Sequence, residues 1–261
     1  IEMLDFNKTH KLPFKYQIPN HLDKFLGRRR ELKASIKYLK RYLFITLIRQ
    51  RKLELFAILP GHKKILWINI SAPSLGDSLM DLSSRVMIKD KEIDLFTDKY
   101  NEMIYKSDAV FSSVFNETNQ INSKKYDLVI IDSFSTRSMR IKARVAKSTP
   151  FVAMFGYYNG PEVNRVLFSF HRMNSLLAYK NTESEITKIA RPSMFISNED
   201  YEIIEGYNLP EEFISIVIGG EWSFRTFNEW DKVIEKLISL NNDLNIVLIG
   251  SDNGIKDAQI I

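Results

Sequence analysis

The sequence contains no cysteine, which excludes disulfides and thiol chemistry. Histidine is scarce: His10, His21, His62 and His171 are scattered along the chain. With no cysteine and no carboxylate–histidine cluster, no zinc site is expected. No apolar run is long enough to span a bilayer. The longest, residues 42–48 and 53–60, are short and separated by the charged run 49–52. The first 20 residues are polar, hold Pro13 and Pro19, and contain no apolar core of signal-peptide length. G-x-S-x-G, Walker A and G-x-G-x-x-G sequences are missing, which leaves hydrolase-elbow, P-loop and nicotinamide chemistry unsupported.

What is present is unevenly charged. Residues 1–64 carry 16 Lys/Arg against 5 Asp/Glu, a balance of +11, and the remainder a balance of −6. A basic arm on a mildly acidic body implies a polyanionic partner. Residues 21–58 read as a helix, with Leu22, Phe25, Leu26, Leu32, Ile36, Leu39 and Leu43 at three- and four-residue steps. Basic side chains from Lys24 to Lys52 fill much of the rest. Such a helix either packs on the body with a solvated basic face or lies on an anionic membrane surface. Few aromatics interleave these charges, so nucleic acid is not an expected partner.

After Pro60-Gly61 the pattern changes. Apolar runs at 64–70, 92–97, 109–111, 126–132 and 151–155 read as strands. Helices are expected at 77–88, 101–107, 138–146 and 161–178. The alternation marks a doubly wound α/β domain whose ligand loops follow the strands. It restarts with strands at 213–218 and 244–249 around a helix at 228–239. The expected domains are a basic helical extension (1–63), a first Rossmann-like domain (64–205) and the start of a second (206–261).

Asp77 follows the first of these strands at a helix start, behind Gly76. It reads either as an N-cap or as a carboxylate available for proton transfer. Asp81 lies one turn on, over the same face. Arg137 follows the acidic end of the strand at 126–132. It can bind a phosphate or pair with Asp132. Arg140, Lys142 and Arg144 extend a basic helix that reads as solvated. Gly219 and Gly220 lead a strand–helix loop through Trp222, Ser223 and Arg225 that can cradle phosphate, or be a plain tight turn.

Five segments, in order, resemble glycosyltransferase family 9, the bacterial heptosyltransferases. They are residues 65–70 with Ser74-Leu75-Gly76-Asp77; residues 126–132 with Ser135-Thr136-Arg137-Ser138; His171 with Leu176; residues 216–220 with Arg225, Phe227 and Glu229; and residues 246–250. The resemblance covers about residues 64–261. Gly219, Arg225 and Phe227 stand where that family has proline, lysine and tryptophan. A D-x-G-x-x-H segment of the family is not in the sequence, so the second domain is expected to be incomplete.

The resemblance implies a GT-B fold and an inverting, metal-independent transfer with no resident cofactor. The donor would be ADP-heptose or another nucleotide sugar, and the acceptor a lipid-linked or phosphorylated glycan of the lipopolysaccharide-core kind. It implies Asp77 as base and Ser74, Gly76, Arg137, Arg140 and His171 on the acceptor side. Gly219, Gly220, Trp222, Ser223, Arg225 and Gly250 would hold the donor. The location would be cytoplasmic, peripheral at the inner membrane where residues 24–52 meet anionic lipid. A different sugar or a protein acceptor, or a non-catalytic anion-binding relative, fits the same pattern.

Overall fold

The computed structural model describes residues 28–72, 74–122, 125–155, 164–219, 227–250 and 254–260. The lead-in 1–20, the first residues of the expected basic helix, and Gly220, Trp222, Ser223 and Arg225 lie outside these. The chain divides into two compact units between Ile196 and Ser197, nine residues before the boundary read from sequence.

The first unit is built on five parallel strands: β1 (Lys64–Ile68), β2 (Glu92–Phe96), β3 (Ser113–Phe115), β4 (Leu128–Ile131) and β5 (Phe151–Ala153). Their order is β3-β2-β1-β4-β5. The third strand is displaced from its expected place at 109–111. Phe111 instead sits in a turn and packs edge-on against Tyr105 at 5.7 Å. Val114, three residues later, pairs with Leu95 of β2.

Strand alternation splits the core into two layers. Ile65, Trp67, Ile93, Leu95, Leu128, Ile130 and Val152 face one side. Leu66, Ile68, Val129, Ile131, Phe151 and Ala153 face the other. The first face is covered by α5 (Arg165–Leu176), which supplies Phe168, Phe170, Met173 and Leu176. The second is covered by α1 (Arg28–Leu47), through Ile45, and by α4 (Thr136–Val145), through Met139 and Val145. Helix α1 is thus part of the first unit rather than a separate extension. It ends at Leu47, before the expected position 58.

Two short helices, α2 (Leu75–Asp81) and α3 (Lys99–Tyr105), follow β1 and β2. A 3₁₀ turn at Ser83–Met87 takes up the rest of the helix expected to reach 88. Helix α6 (Glu183–Ile189) closes the unit. Within it, Arg85 and Asp108 form a buried ion pair at 2.6 Å, and Arg85 also donates to the Leu82 and Ser193 carbonyls.

Lys142 is not on a solvated face: it is 0% exposed. Its ammonium donates to Gln50 Oε1 just beyond α1 and lies 5.1 Å from the Phe151 ring. Burial pushes its pKa down from 10.5 to about 7. The folded value is below the unfolded one, so folding releases protons between those limits and stability rises with pH there. Lys142→Met should therefore stabilise the protein by roughly 1–4 kcal/mol at pH 6. The advantage should shrink toward pH 10. Melting curves of both proteins across this range check it; a difference independent of pH contradicts the argument.

The second unit contains α7 (Asn198–Glu205), β6 (Ile214–Ile218), α8 (Trp230–Leu240), β7 (Ile246–Gly250) and α9 (Ile255–Ile260). Strands β6 and β7 are parallel, and Ile216, Ile218 and Ile234 form the buried centre. Gly250 is required by close approach: a Cβ there would lie 2.6 Å from the Ile218 carbonyl oxygen.

Candidate functional site

The strand order reverses between β1 and β4, so the loops after these strands flank the switch point where doubly wound sheets bind ligands. Asp132, at the end of β4, is buried and ties the two loops together. One carboxylate oxygen accepts from Ile70 N at 2.8 Å and Ser71 N at 2.6 Å. The other accepts from Ser133 N at 2.5 Å and Ser138 Oγ at 2.6 Å. Burial pushes its pKa up, and these donors work against the rise. The hydroxyls of Ser71, Ser133, Ser135 and Ser138 bond to one another around it. This knot braces the two loops with the protein's own polar groups.

Beside the knot lies a carboxylate pair on one arginine. Ser74 caps α2, so Asp77 is the third helical residue, not the N-cap. Ser74 Oγ donates to Asp77 Oδ2 at 2.8 Å. Arg165, the first residue of α5, donates to Asp77 Oδ1. It also grips Asp81 through Nε at 2.9 Å and Nη2 at 2.7 Å. The Asp77 side chain keeps 22% of its surface exposed and Arg165 keeps 23%, whereas Asp81 keeps 3%. Burial pushes the Asp81 pKa up to about 7, with Arg165 offsetting part of the effect and Asp132 and Asp77 adding to it. A Cβ on Gly76 would meet no protein atom within 4 Å, so internal packing does not demand glycine there.

Arg137 is not paired with Asp132. It lines a cleft of about 570 Å³ with Lys99, Arg144, Asp98, Glu117 and Thr97. The carboxylates there are committed: Asp98 caps α3 and Glu117 forms a capping box. None of the three cations has an ion-pair partner among the described residues. The buried Thr97 hydroxyl is unbonded.

Other expected site residues lie apart from this group. The Arg140 guanidinium lies 5.5 Å from the Phe44 ring, a contact that joins α4 to α1. His171 is in the middle of α5, not at its start, and is 1% exposed. Burial lowers its pKa, against a smaller effect of Glu183. Gly219 has φ 75°, a left-handed conformation suited to glycine. Arg165 carries no local sequence signal of a role, because its partners are 84 and 88 residues away.

The fold is that of the GT-B glycosyltransferases. The solved structures that share it include E. coli heptosyltransferase WaaC with ADP. The two are 17% identical over 76% of this chain and 70% of that one, with a TM-score of 0.52. E. coli ADP-heptose LPS heptosyltransferase II is 16% identical, covering 76% of this chain and 67% of its own, with a TM-score of 0.51. WaaC with ADP-2-deoxy-2-fluoro heptose is 16% identical over 76% and 72%, with a TM-score of 0.51. No protein-family model and no curated protein matches the sequence.

Proposed function

We propose that this chain is an inverting glycosyltransferase that moves a sugar, heptose being the expected one, from a nucleoside diphosphate to a hydroxyl of a phosphorylated, lipid-linked glycan. The observation that carries this is the partly exposed Asp77 carboxylate at the start of α2, oriented by Ser74 and Arg165. A single positioned carboxylate is sufficient base for such a transfer. The fold shared with heptosyltransferases solved with ADP and an ADP-heptose analogue supports a nucleotide-sugar donor. Lys99, Arg137 and Arg144 offer charge for an acceptor phosphate. The donor side rests on residues 219–225, with Gly219 at their head, and no essential metal is invoked.

The Arg165 pairing favours a second reading. A carboxylate neutralised by an arginine is a poor base until the guanidinium loosens, so an anion-binding relative without turnover also fits. Incubation with ADP-heptose, a panel of other nucleotide sugars and a phosphorylated glycolipid separates the two. Extended glycolipid and released nucleoside diphosphate are expected, with product NMR reporting the anomer. Binding of acceptor with no product from any donor selects the second reading.

A further inference from the structure

Helix α1 has two apolar faces. One is spent on the core: Ile45 is fully buried, and Tyr38 and Tyr42 pack beside it. The other is not. Ile36, Leu39, Leu43 and Leu47 recur at three- and four-residue steps with exposures of 51, 53, 49 and 80%. They form a stripe roughly half a turn from Ile45 and about 16 Å long. A surface stripe of four aliphatics on one helix is a large patch to leave in water.

The charge around the stripe specifies its partner. Residues 36–52 carry six Lys/Arg and no acidic residue. At the end of α1, Arg49 takes a left-handed φ of 57° and turns the chain. Arg49, Arg51 and Lys52 then line, with Thr46, a cleft of about 470 Å³. The Arg51 guanidinium is held over the Tyr42 ring, 4.4 Å from its centre. None of these three cations meets a carboxylate among the described residues.

From this we infer that α1 docks the protein on an anionic phospholipid surface. Ile36, Leu39, Leu43 and Leu47 enter the acyl boundary, and Arg49, Arg51 and Lys52 take a lipid phosphate. An aliphatic stripe beside a cationic cleft is the arrangement an in-plane interfacial helix uses. A second protein copy would bring the same excess of positive charge against itself. No helix among the described residues is long and apolar enough to cross a membrane, so α1 lies in the interface and does not span. This inference is independent of the proposed transfer.

Sedimentation of the full chain with vesicles tests it. Vesicles of phosphatidylcholine with about 30% phosphatidylglycerol should bind, pure phosphatidylcholine should not, and salt should weaken binding. Leu43→Asp with Leu47→Asp should lower affinity roughly a hundredfold, and Arg49→Glu with Lys52→Glu at least about tenfold. All four side chains are exposed, so melting temperatures should not move. Equal binding to neutral vesicles, or unchanged binding by the Leu43/Leu47 variant, overturns the inference. So does a dimer in solution that the same variant splits, because the stripe then belongs to a second copy.

Discussion

Replacing Asp77 with asparagine should cut glycosyl transfer by about 10²–10⁴-fold, the range for loss of a positioned general base. Its fold should survive. The side chain is at the rim, accepts from Ser74 Oγ and pairs with an arginine that Asp81 also holds, so the cost is about 1 kcal/mol. Initial rates at saturating donor, with melting curves alongside, check this; an equal rate would remove Asp77 from the chemistry. The pH profile adds a constraint on Arg165. Asp81 has its pKa raised to about 7, so it takes a proton as the pH falls through that value. Its grip on Arg165 then weakens, and the guanidinium is left to Asp77 alone, which must part from it before taking a proton. The wild-type rate should climb through about pH 7, and Asp81→Asn should hold it low and lose that limb.

Asp132→Ala should destabilise the protein by about 3–5 kcal/mol, because the substitution strands four donors in a buried place. The melting temperature should fall by about 10 °C. Asparagine should not rescue it. Both carboxylate oxygens accept from two donors each, so either orientation of the amide sets its NH₂ against N–H or O–H groups. The loops after β1 and β4 would lose their common anchor, and transfer should fall with stability. An Asp132→Asn protein melting within about 2 °C of wild type would contradict this account of the knot.

Local sequence carried much of this fold because buried parallel strands are continuous apolar runs. Residues 65–68 and 128–131 stand out without any partner being known. The helix caps were less legible. Ser74, not Asp77, takes the cap, since the helix starts one turn earlier and the Ser74 hydroxyl accepts from Asp77 N. Asp81 was readable as a neighbour of Asp77 from spacing, but their shared arginine was not, because Arg165 arrives from another helix. Lys142 misled because its helix looks solvated until α1 is laid over it. Helices α6 and α7 fall outside the elements expected from sequence. The capping boxes that start them, Thr182 with Glu185 and Ser197 with Asp200, were the available signal.

The strand made first is the one in the middle. Strand β1 pairs on one side with β2 and on the other with β4, where Leu66 meets Val129 roughly sixty residues later. Synthesis therefore delivers a strand that ends up buried well before its second neighbour exists. Closing so large a loop is slow. A nascent chain must keep residues 65–68 from other sticky edges meanwhile.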